Sequence, residues 1–310
     1  MNILTFDIEE WYLEKAYFGA KQSKYAEYDK LLDVLLSKLD EVGLKATFFC
    51  VGKMATDFSY VVRKISDAGH EIGCHSNIHQ WLNKMSYQEA LDDTKLAVDS
   101  LEQCIGNKIF SYRAPAFSIG SSNKWIFEIL ASNGITRDAS VFPVSRDFGG
   151  FTEFSTNGPA TVNYKGICIK EFPVCTTSIL GKEMAYSGGG YFRFFPLRFV
   201  KKTMDKSKCS MTYFHLGDLL PVITGLMSKT EYENYFGETG SVKTRLFRYL
   251  KTNIGVKSNK RKLFKLLETT SFENLSTADE MMDWSLYPVV NIESCTNTSS
   301  NVYRTSSFQA

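Results

Sequence analysis

The sequence has few histidines and no cysteine pair of the kind that binds metals or forms redox centres. Seven cysteines are scattered through 310 residues, and none of them stands in a Cys-x-x-Cys motif. An odd, dispersed set does not make a disulfide framework, so it argues against a small disulfide-rich domain and favours a reducing compartment. The chain has only four histidines. Two histidines at ligand spacing therefore stand out against a low background.

Long apolar runs and an excess of one charge are also missing. No stretch approaches the ~20 apolar residues of a membrane span, and the formal net charge is +2. This balance gives no indication of a nucleic-acid or anionic-membrane partner. The strand pattern at 2–6 is preceded by no basic segment and no apolar leader core,. We therefore expect a cytoplasmic protein.

Apolar sequence is abundant, with 44% hydrophobic and 14% aromatic residues. Short strand patterns alternate with amphipathic helix patterns along the first half of the chain. The predicted strands are 1–8, 46–51, 71–74, 109–112 and 135–139, and the predicted helices are 28–42, 56–68, 86–104 and 121–133. Such alternation predicts an α/β protein with a parallel sheet, either open or closed into a barrel.

The pattern loosens after residue 142. Residues 143–163 are rich in Gly, Ser, Thr and Asn and are predicted to form a long surface insertion,. Further strands are predicted at 167–174, 210–215 and 272–275, and further helices at 197–205, 231–236, 242–250 and 260–267. We predict one catalytic domain over 1–290 and a flexible polar tail over 291–310.

His75 and His79 follow the predicted strand 71–74 and stand four residues apart. One helical turn at the end of this strand would aim both imidazoles at the same point. Neutral imidazole is the commonest side-chain metal ligand, and such a pair supplies half of a tetrahedral shell. The alternative is a pair of core or surface histidines without a ligand. His70 precedes the strand, on the opposite rim, and is interpreted as structural.

Acidic side chains follow the first strand. Asp7 and Glu9 are two residues apart, so an extended backbone aims both to the same side,. One carboxylate would complete a shell of two histidines and one carboxylate, and the other would stay free as a general base. Acids that only cap the strand or face solvent are the alternative.

Polar residues follow two other strands. Arg113 stands in Tyr112-Arg113-Ala114-Pro115, where its cation would hold the free carboxylate in place and keep it ionised,. Pro115 stiffens the turn, so the backbone N–H groups after it could face a developing oxyanion. His215 ends the strand 210–215 and suits a general acid for a leaving amine, although a core histidine is an equal alternative.

The glycine loop Gly188-Gly189-Gly190 lacks the Lys-Ser/Thr end of a phosphate-binding loop,. Tyr191 and Phe192 follow it directly. We interpret the loop as a place where backbone approaches a ligand beside aromatic walls, as sugar rings are often held. A flexible turn is the alternative.

Together these motifs resemble the NodB-homology polysaccharide deacetylases, carbohydrate esterase family 4. The likeness runs from residue 2 to about residue 275. The motifs that carry it, in the family's order, are Thr5-Phe6-Asp7-Ile8-Glu9, His75-Ser76-x-x-His79, Arg113-x-Pro115 and His215. The segments 6–11, 138–143, 188–193 and 213–215 resemble the cytoplasmic branch associated with exopolysaccharide and O-antigen gene clusters.

The resemblance implies a distorted (β/α)7 barrel that removes an N-acetyl group from an amino sugar in surface polysaccharide biosynthesis. It implies Asp7 as the general base, Arg113 as the residue that orients it, and His215 as the general acid. It implies Zn²⁺, or another divalent transition metal, as the cofactor. The implied metal ligands are Glu9, His75 and His79.

Two positions depart from the family pattern. Many members have adjacent Asp-Asp where this chain has Asp7 and Glu9, so Glu10 is an alternative ligand. Leu216 and Gly217 follow the last histidine, where the related branch often has a proline and an aromatic residue. Two other functions stay open: hydrolysis of a cyclic ureide or imide by the same barrel, and sugar binding without catalysis.

Overall fold

Short strands form a predominantly parallel sheet. The computed structural model describes residues 1–18, 24–145, 150–220, 225–236 and 239–292. Within these ranges the strands are β1 (Asn2–Ile3), β2 (Thr5–Ile8), β3 (Thr47–Cys50), β4 (Glu71–Cys74), β5 (Ser111–Tyr112), β6 (Arg137–Asp138), β7 (Ala160–Tyr164), β8 (Ile167–Glu171), β9 (Thr176–Ile179), β10 (Lys182–Ala185), β11 (Ser210–Met211), β12 (Phe214–His215) and β13 (Val289–Asn291).

The parallel strands follow one another in the order β12-β2-β3-β4-β5-β6-β8, and β1 pairs with β11 beside them. Because β1 and β2, and likewise β11 and β12, are one interrupted strand each, the order makes seven parallel positions. The described residues form no continuous ladder between β8 and β11, where instead the Met211 N–H donates to Cys175 Sγ at 3.2 Å. The prediction of an α/β protein with a distorted (β/α)7 barrel is confirmed.

Helices join the strands and cover the sheet. The helices are α1 (Glu10–Leu13), α2 (Tyr25–Glu41), α3 (Gly52–Asp57), α4 (Ser59–Asp67), α5 (Tyr87–Ile105), α6 (Ile126–Ser132), α7 (Gly189–Phe194), α8 (Leu197–Lys206), α9 (Lys229–Phe236), α10 (Val242–Asn253), α11 (Val256–Thr269) and α12 (Leu275–Met281). In α2 the stripe Leu31, Leu35 and Leu39 is buried in the core. A capping box between Ser86 and Glu89 begins α5,. None of the described helices is both long and apolar enough to cross a membrane.

Two predicted elements differ in extent from the observed ones. The helix predicted over 56–68 is instead α3 and α4, which are separated at Phe58 because its backbone (φ −140°, ψ 44°) leaves the helical region,. The strand predicted over 272–275 is reduced to a single bridge at Glu273, because Asn274 already caps α12.

The surface insertion predicted over 143–163 is wrong in its described part, because this segment contributes to both the core and the sheet. Phe151 and Phe154 are buried. Strand β7 pairs antiparallel with β8 across Lys165 and Gly166, which both have positive φ, as in a tight hairpin turn,. Residues 146–149 lie outside the described residues.

The polar tail predicted over 291–310 begins too early. Asn291 is the last residue of β13, and Ile292 is buried, with its N–H donating to the Asn163 carbonyl at 3.1 Å. The remainder, 293–310, lies outside the described residues. The domain therefore extends at least to residue 292.

Candidate metal centre and active site

The loop after β4 brings the two histidines together. His75 Nε2 lies 3.4 Å and His79 Nε2 lies 2.5 Å from Glu9 Oε2, and the ring centroids are 5.1 Å apart. The helical turn predicted here is wrong, since the segment is irregular and has left-handed φ angles of 61° at Ser76 and 56° at His79. Residues other than glycine adopt this left-handed backbone conformation only where the surroundings impose it.

Neighbouring helices impose that loop conformation. The Gly52 N–H, at the start of α3, donates to the Ser76 carbonyl at 2.8 Å, and the Asn77 N–H donates to Asp93 Oδ2 on α5 at 2.8 Å. A Cβ at Gly52 would meet the Ala97 backbone at 2.6 Å, so glycine is required for this close approach,. The histidine loop is therefore fixed by α3 and α5.

A backbone carbonyl orients His75. The ring is 2% exposed, and its Nδ1 lies 2.7 Å from the Arg113 carbonyl oxygen. A carbonyl only accepts, so Nδ1 carries a proton and donates to it, and Nε2 is the ring nitrogen that faces Glu9,. This arrangement is common in metal sites, where a partner on the other ring nitrogen fixes the tautomer and the ring orientation.

The three side chains fit a divalent transition metal. One ligand atom from each of Glu9, His75 and His79 lies within 4.8 Å of the other two. Glu9 Oε2 is buried and accepts no hydrogen bond from the described residues, although both imidazole nitrogens are close to it. Burial opposes ionisation of Glu9, but the imidazoles around it hold its pKa well below the usual value. An anionic oxygen and two imidazole nitrogens suit Zn²⁺, Fe²⁺, Co²⁺ or Ni²⁺.

The neighbouring acid, Glu10, is engaged elsewhere. Its Oε1 accepts a hydrogen bond from the Gly217 N–H at 2.8 Å, and its Oε2 accepts one from the Glu9 N–H at 3.3 Å. Burial and the charge of Glu9 raise the pKa of Glu10 to about 7. The geometry therefore favours Glu9 over Glu10 as the carboxylate ligand.

Asp7 and Arg113 form a buried ion pair beside this cluster. Arg113 Nη1 lies 2.7 Å from Asp7 Oδ1, and both side chains are almost fully buried. Arg113 is held by the Thr5 hydroxyl at 2.7 Å and the Ala139 carbonyl at 3.2 Å, and its guanidinium stacks over the Phe49 ring. Burial favours the neutral acid, but Arg113 and the nearby imidazoles outweigh it and lower the pKa of Asp7,.

His215 is placed opposite Asp7 by strand register. The two residues are direct partners in the parallel pair β2–β12, and His215 Nε2 lies 3.5 Å from Asp7 Oδ2 and 3.8 Å from Glu9 Oε1. Its other ring nitrogen, Nδ1, lies 3.5 Å from Asp218 Oδ2. Burial lowers the pKa of His215, but the surrounding carboxylates outweigh it and raise the pKa well above the usual value. The surrounding carboxylates therefore stabilise the protonated form of His215.

Asp218 is a site residue that the sequence analysis missed. It accepts a hydrogen bond from the His215 N–H at 3.0 Å and lies 3.6 Å from Arg193 Nη1. The spacing of three residues after His215 was the available signal, although an acid at that distance is too common to identify a partner by itself.

These groups face one cavity of about 870 Å³. Asp7, Glu9, His75, His79 and His215 all line it, whereas Arg113 is buried behind Asp7. Aromatic side chains from several segments form its walls: Trp81, Phe117, Tyr191, Phe194, Phe195 and Tyr213.

The three glycines of the loop Gly188-Gly189-Gly190 have different surroundings. Gly189 and Gly190 line the cavity, in agreement with the ligand-facing interpretation. Gly188 instead packs against Tyr213, where an added Cβ would lie 2.1 Å from the carbonyl oxygen. The first glycine therefore serves packing against the last barrel strand.

His70 lies away from the cavity, directly before β4. Its Nδ1 accepts a hydrogen bond from the Ala46 N–H at 3.3 Å, and its ring packs against Phe48. Burial, with the charge of Lys45, lowers the pKa of His70 to about 4, so the ring is neutral. These contacts agree with its structural interpretation.

Comparison with family models divides the chain into two parts. Residues 3–137 match the model described as Polysaccharide deacetylase. Residues 139–279 match a domain of unknown function, DUF3473. The first match contains Asp7, Glu9, His75, His79 and Arg113, and the second contains His215.

Two curated relatives share segments with this chain. The peptidoglycan-N-acetylglucosamine deacetylase of Bacillus cereus is 40% identical over 55 residues, which cover 18% of this chain and 20% of that protein. The uncharacterized protein YlxY of Bacillus subtilis is 33% identical over 106 residues, covering 33% of this chain and 31% of that protein. The matched regions thus span about a fifth and a third of these relatives.

A solved structure shares the fold over most of the chain. The crystal structure of a protein assigned as a polysaccharide deacetylase from Mycobacterium smegmatis superposes with a TM-score of 0.50 at 16% identity, covering 87% of this chain and 92% of that one. At this identity the likeness shows the fold alone. Residues 3–137 are thus similar to polysaccharide deacetylases in sequence, and the chain shares the fold of this solved structure over most of its length.

Proposed function

We propose that this protein is a metal-dependent hydrolase that removes an N-acetyl group from an amino sugar or its glycoconjugate. The observation that carries the proposal is the convergence of Glu9, His75 and His79 beside Asp7 and His215 in one cavity. These groups provide a metal site, a base and an acid, which together are what amide hydrolysis requires. The domain match supports the sugar amide as the substrate class.

Glu9, His75 and His79 would hold the metal ion, for which Zn²⁺ is our first choice. When bound, such an ion supplies Lewis-acid polarisation of the acetyl carbonyl and of a water molecule. The protein's own contribution at this point is the tautomer of His75, fixed by the Arg113 carbonyl, and the ionised state of Glu9.

Asp7 would take the proton of the attacking water, because it is ionised and its Oδ2 faces the cavity side where His215 lies. Its other oxygen is held by Arg113, so the base cannot turn away. His215 would give its proton to the leaving nitrogen, which releases acetate and a free amine.

The turn after Arg113 offers a backbone N–H group to a developing oxyanion. Ala116 lines the cavity and has a left-handed φ of 53°. The next two N–H groups, of Phe117 and Ser118, donate to the Ala114 and Pro115 carbonyls within the turn. We therefore assign the oxyanion contact to the Ala116 N–H.

The cavity walls fit a sugar. Its volume is in the range of small-molecule sites, and aromatic faces such as those of Trp81 and Tyr191 pack well against the apolar face of a pyranose ring. We propose a role in surface polysaccharide biosynthesis on the cytoplasmic side. The free cysteines of the described residues, from Cys50 to Cys209, support a reducing compartment,.

Acetate release tests the proposed function. The purified chain, loaded with Zn²⁺ or Co²⁺, is expected to release acetate from at least one member of a panel of N-acetylated free, nucleotide-linked and polymeric sugars. A chelator should abolish the release, and re-addition of metal should restore it. Release from cyclic ureides or imides only would replace the proposal, and sugar binding that persists in His75→Ala without hydrolysis would indicate a non-catalytic carbohydrate-binding protein.

Replacing the proposed acid separates proton donation from metal binding. His215→Gln is expected to lower kcat by about 10²–10³-fold, since general acid catalysis contributes on this scale. Metal content should stay the same, because His215 is not one of the three clustered ligands. A variant that loses the metal as well would show that His215 is a ligand, contrary to our assignment.

A further inference from the structure

Helix α10 is amphipathic, but it exposes its apolar face to solvent, whereas a helix that packs on a globular core buries that face. Five large apolar side chains, here called the α10 stripe, are each between 46% and 66% exposed: Val242, Leu246, Phe247, Leu250 and Ile254. At 100° per residue they occupy one continuous face of the helix and its C-cap. No residue of α10 is buried.

The side of α10 that faces the protein is polar. Arg245 Nη1 donates to the Met227 carbonyl at 2.6 Å, and Arg193 Nη1 donates to the Thr252 carbonyl at 2.8 Å. Arg248, Lys251 and Thr252 line the cavity. Hydrogen bonds thus join α10 to α7 and to the segment before α9, and its apolar face is turned outward.

The same part of the chain is strongly basic. Residues 242–267 contain nine lysines and arginines and no acidic residue, although the whole chain has a net charge of only +2. Six of these bases are exposed: Lys243, Lys251, Lys257, Lys260, Arg261 and Lys265. Residues 242–267 are therefore far more basic than the chain as a whole.

We propose that α10 binds the surface of an anionic lipid bilayer, with the α10 stripe inserted among the headgroups. An apolar face flanked by lysine and arginine is the pattern of an interfacial helix. The 12 residues of α10 extend only about 18 Å,, so the helix would lie in the plane of the interface. Lys243, inside the stripe, can extend its ammonium group to the lipid phosphates.

The charge distribution disfavours other occupants of the stripe. A second copy of this chain would oppose two sets of bases, and a nucleic acid would leave the apolar side chains without a partner. The segment 293–310 carries one acid, Glu293, and one base, Arg304, so it does not complement the charge. A bilayer satisfies both the apolar side chains and the bases.

Vesicle co-sedimentation of the full chain tests this proposal. The protein is expected to pellet with phosphatidylcholine vesicles in which about a third of the lipid is phosphatidylglycerol, and not with pure phosphatidylcholine vesicles. Raising the salt concentration should weaken the binding. Phe247→Asp should lower the partition coefficient at least about tenfold, and Lys243→Glu should lower it about fivefold.

Leu286→Asp is the matched control, because it makes the same kind of change at a side chain that is 80% exposed and outside the basic segment. It should bind vesicles like the unmodified protein, and circular dichroism should show that both variants stay folded. Equal binding to neutral vesicles, equal loss in the control, or no binding by the unmodified chain would overturn the proposal. A change of oligomeric state in Phe247→Asp, measured by light scattering, would overturn it in favour of a second copy.

Discussion

Asp7→Asn is expected to lower kcat for acetate release by about 10²–10⁴-fold while the protein keeps its metal. The substitution preserves the size of the side chain and removes the negative charge that takes the proton. Glu9, His75 and His79 are untouched, so metal content should stay at the level of the unmodified protein. The measurements are steady-state acetate release and metal analysis of the same preparation.

Glu10→Gln provides the control for Asp7→Asn. It makes the same change from acid to amide three residues further along the chain, at the start of α1, and the amide oxygen can still accept a hydrogen bond from the Gly217 N–H. We expect its kcat to remain within a fewfold of the unmodified value. If Glu10→Gln is as inactive as Asp7→Asn, or if Asp7→Asn keeps more than about a tenth of the activity, Asp7 is not the base.

Arg113→Met is expected to lower the free energy of unfolding by about 3–5 kcal/mol, because it leaves the buried Asp7 carboxylate without its partner,. In the unmodified protein the pKa of Asp7 lies below its ordinary value of 3.8. The pair therefore stabilises the fold above that pH, and the contribution is lost as the pH falls through the folded-state pKa. The loss should accordingly be largest near neutral pH and smaller in acid.

Urea unfolding at neutral and acidic pH measures this effect. Lys124→Met is the matched control, since Lys124 pairs at 2.9 Å with Glu153, whose side chain is more than half exposed. We expect Lys124→Met to lower the free energy of unfolding by less than about 1 kcal/mol. The double variant Asp7→Asn with Arg113→Met should recover part of the loss. If Arg113→Met and Lys124→Met lower the free energy of unfolding by similar amounts, the larger penalty that we assign to an unpaired buried charge is contradicted.

The convergence of the site could be predicted from strand ends alone. Parallel strands deliver their C-terminal residues to one rim, so Asp7 and His215, at the same register of neighbouring strands, meet without further information,. The resemblance to a family then supplied the assignment of roles. Both rest on patterns that are local in sequence.

The shape of the histidine loop could not be predicted in this way. A spacing of four residues indicates a helical turn, but contacts from Gly52 and Asp93 hold Ser76 and His79 in left-handed conformations instead. Such conformations are set by tertiary packing and carry little signal in the local sequence when the residue is not glycine.

The orientation of α10 could not be predicted from the sequence, for a related reason. Its periodicity correctly predicts a helix near 242–250, yet a pattern of apolar and polar faces does not state which face meets the protein. Hydrogen bonds from Arg193 and Arg245 decide the orientation, and both partners are distant backbone carbonyls.

The location of the metal is the most direct test of the proposed active site. Crystals of the zinc-loaded protein, measured on both sides of the zinc absorption edge, should give one anomalous peak per chain within bonding distance of Glu9 Oε2, His75 Nε2 and His79 Nε2, about 2.0–2.2 Å from each. A peak bonded to other side chains, or the absence of any peak in zinc-loaded crystals, would contradict the proposed centre.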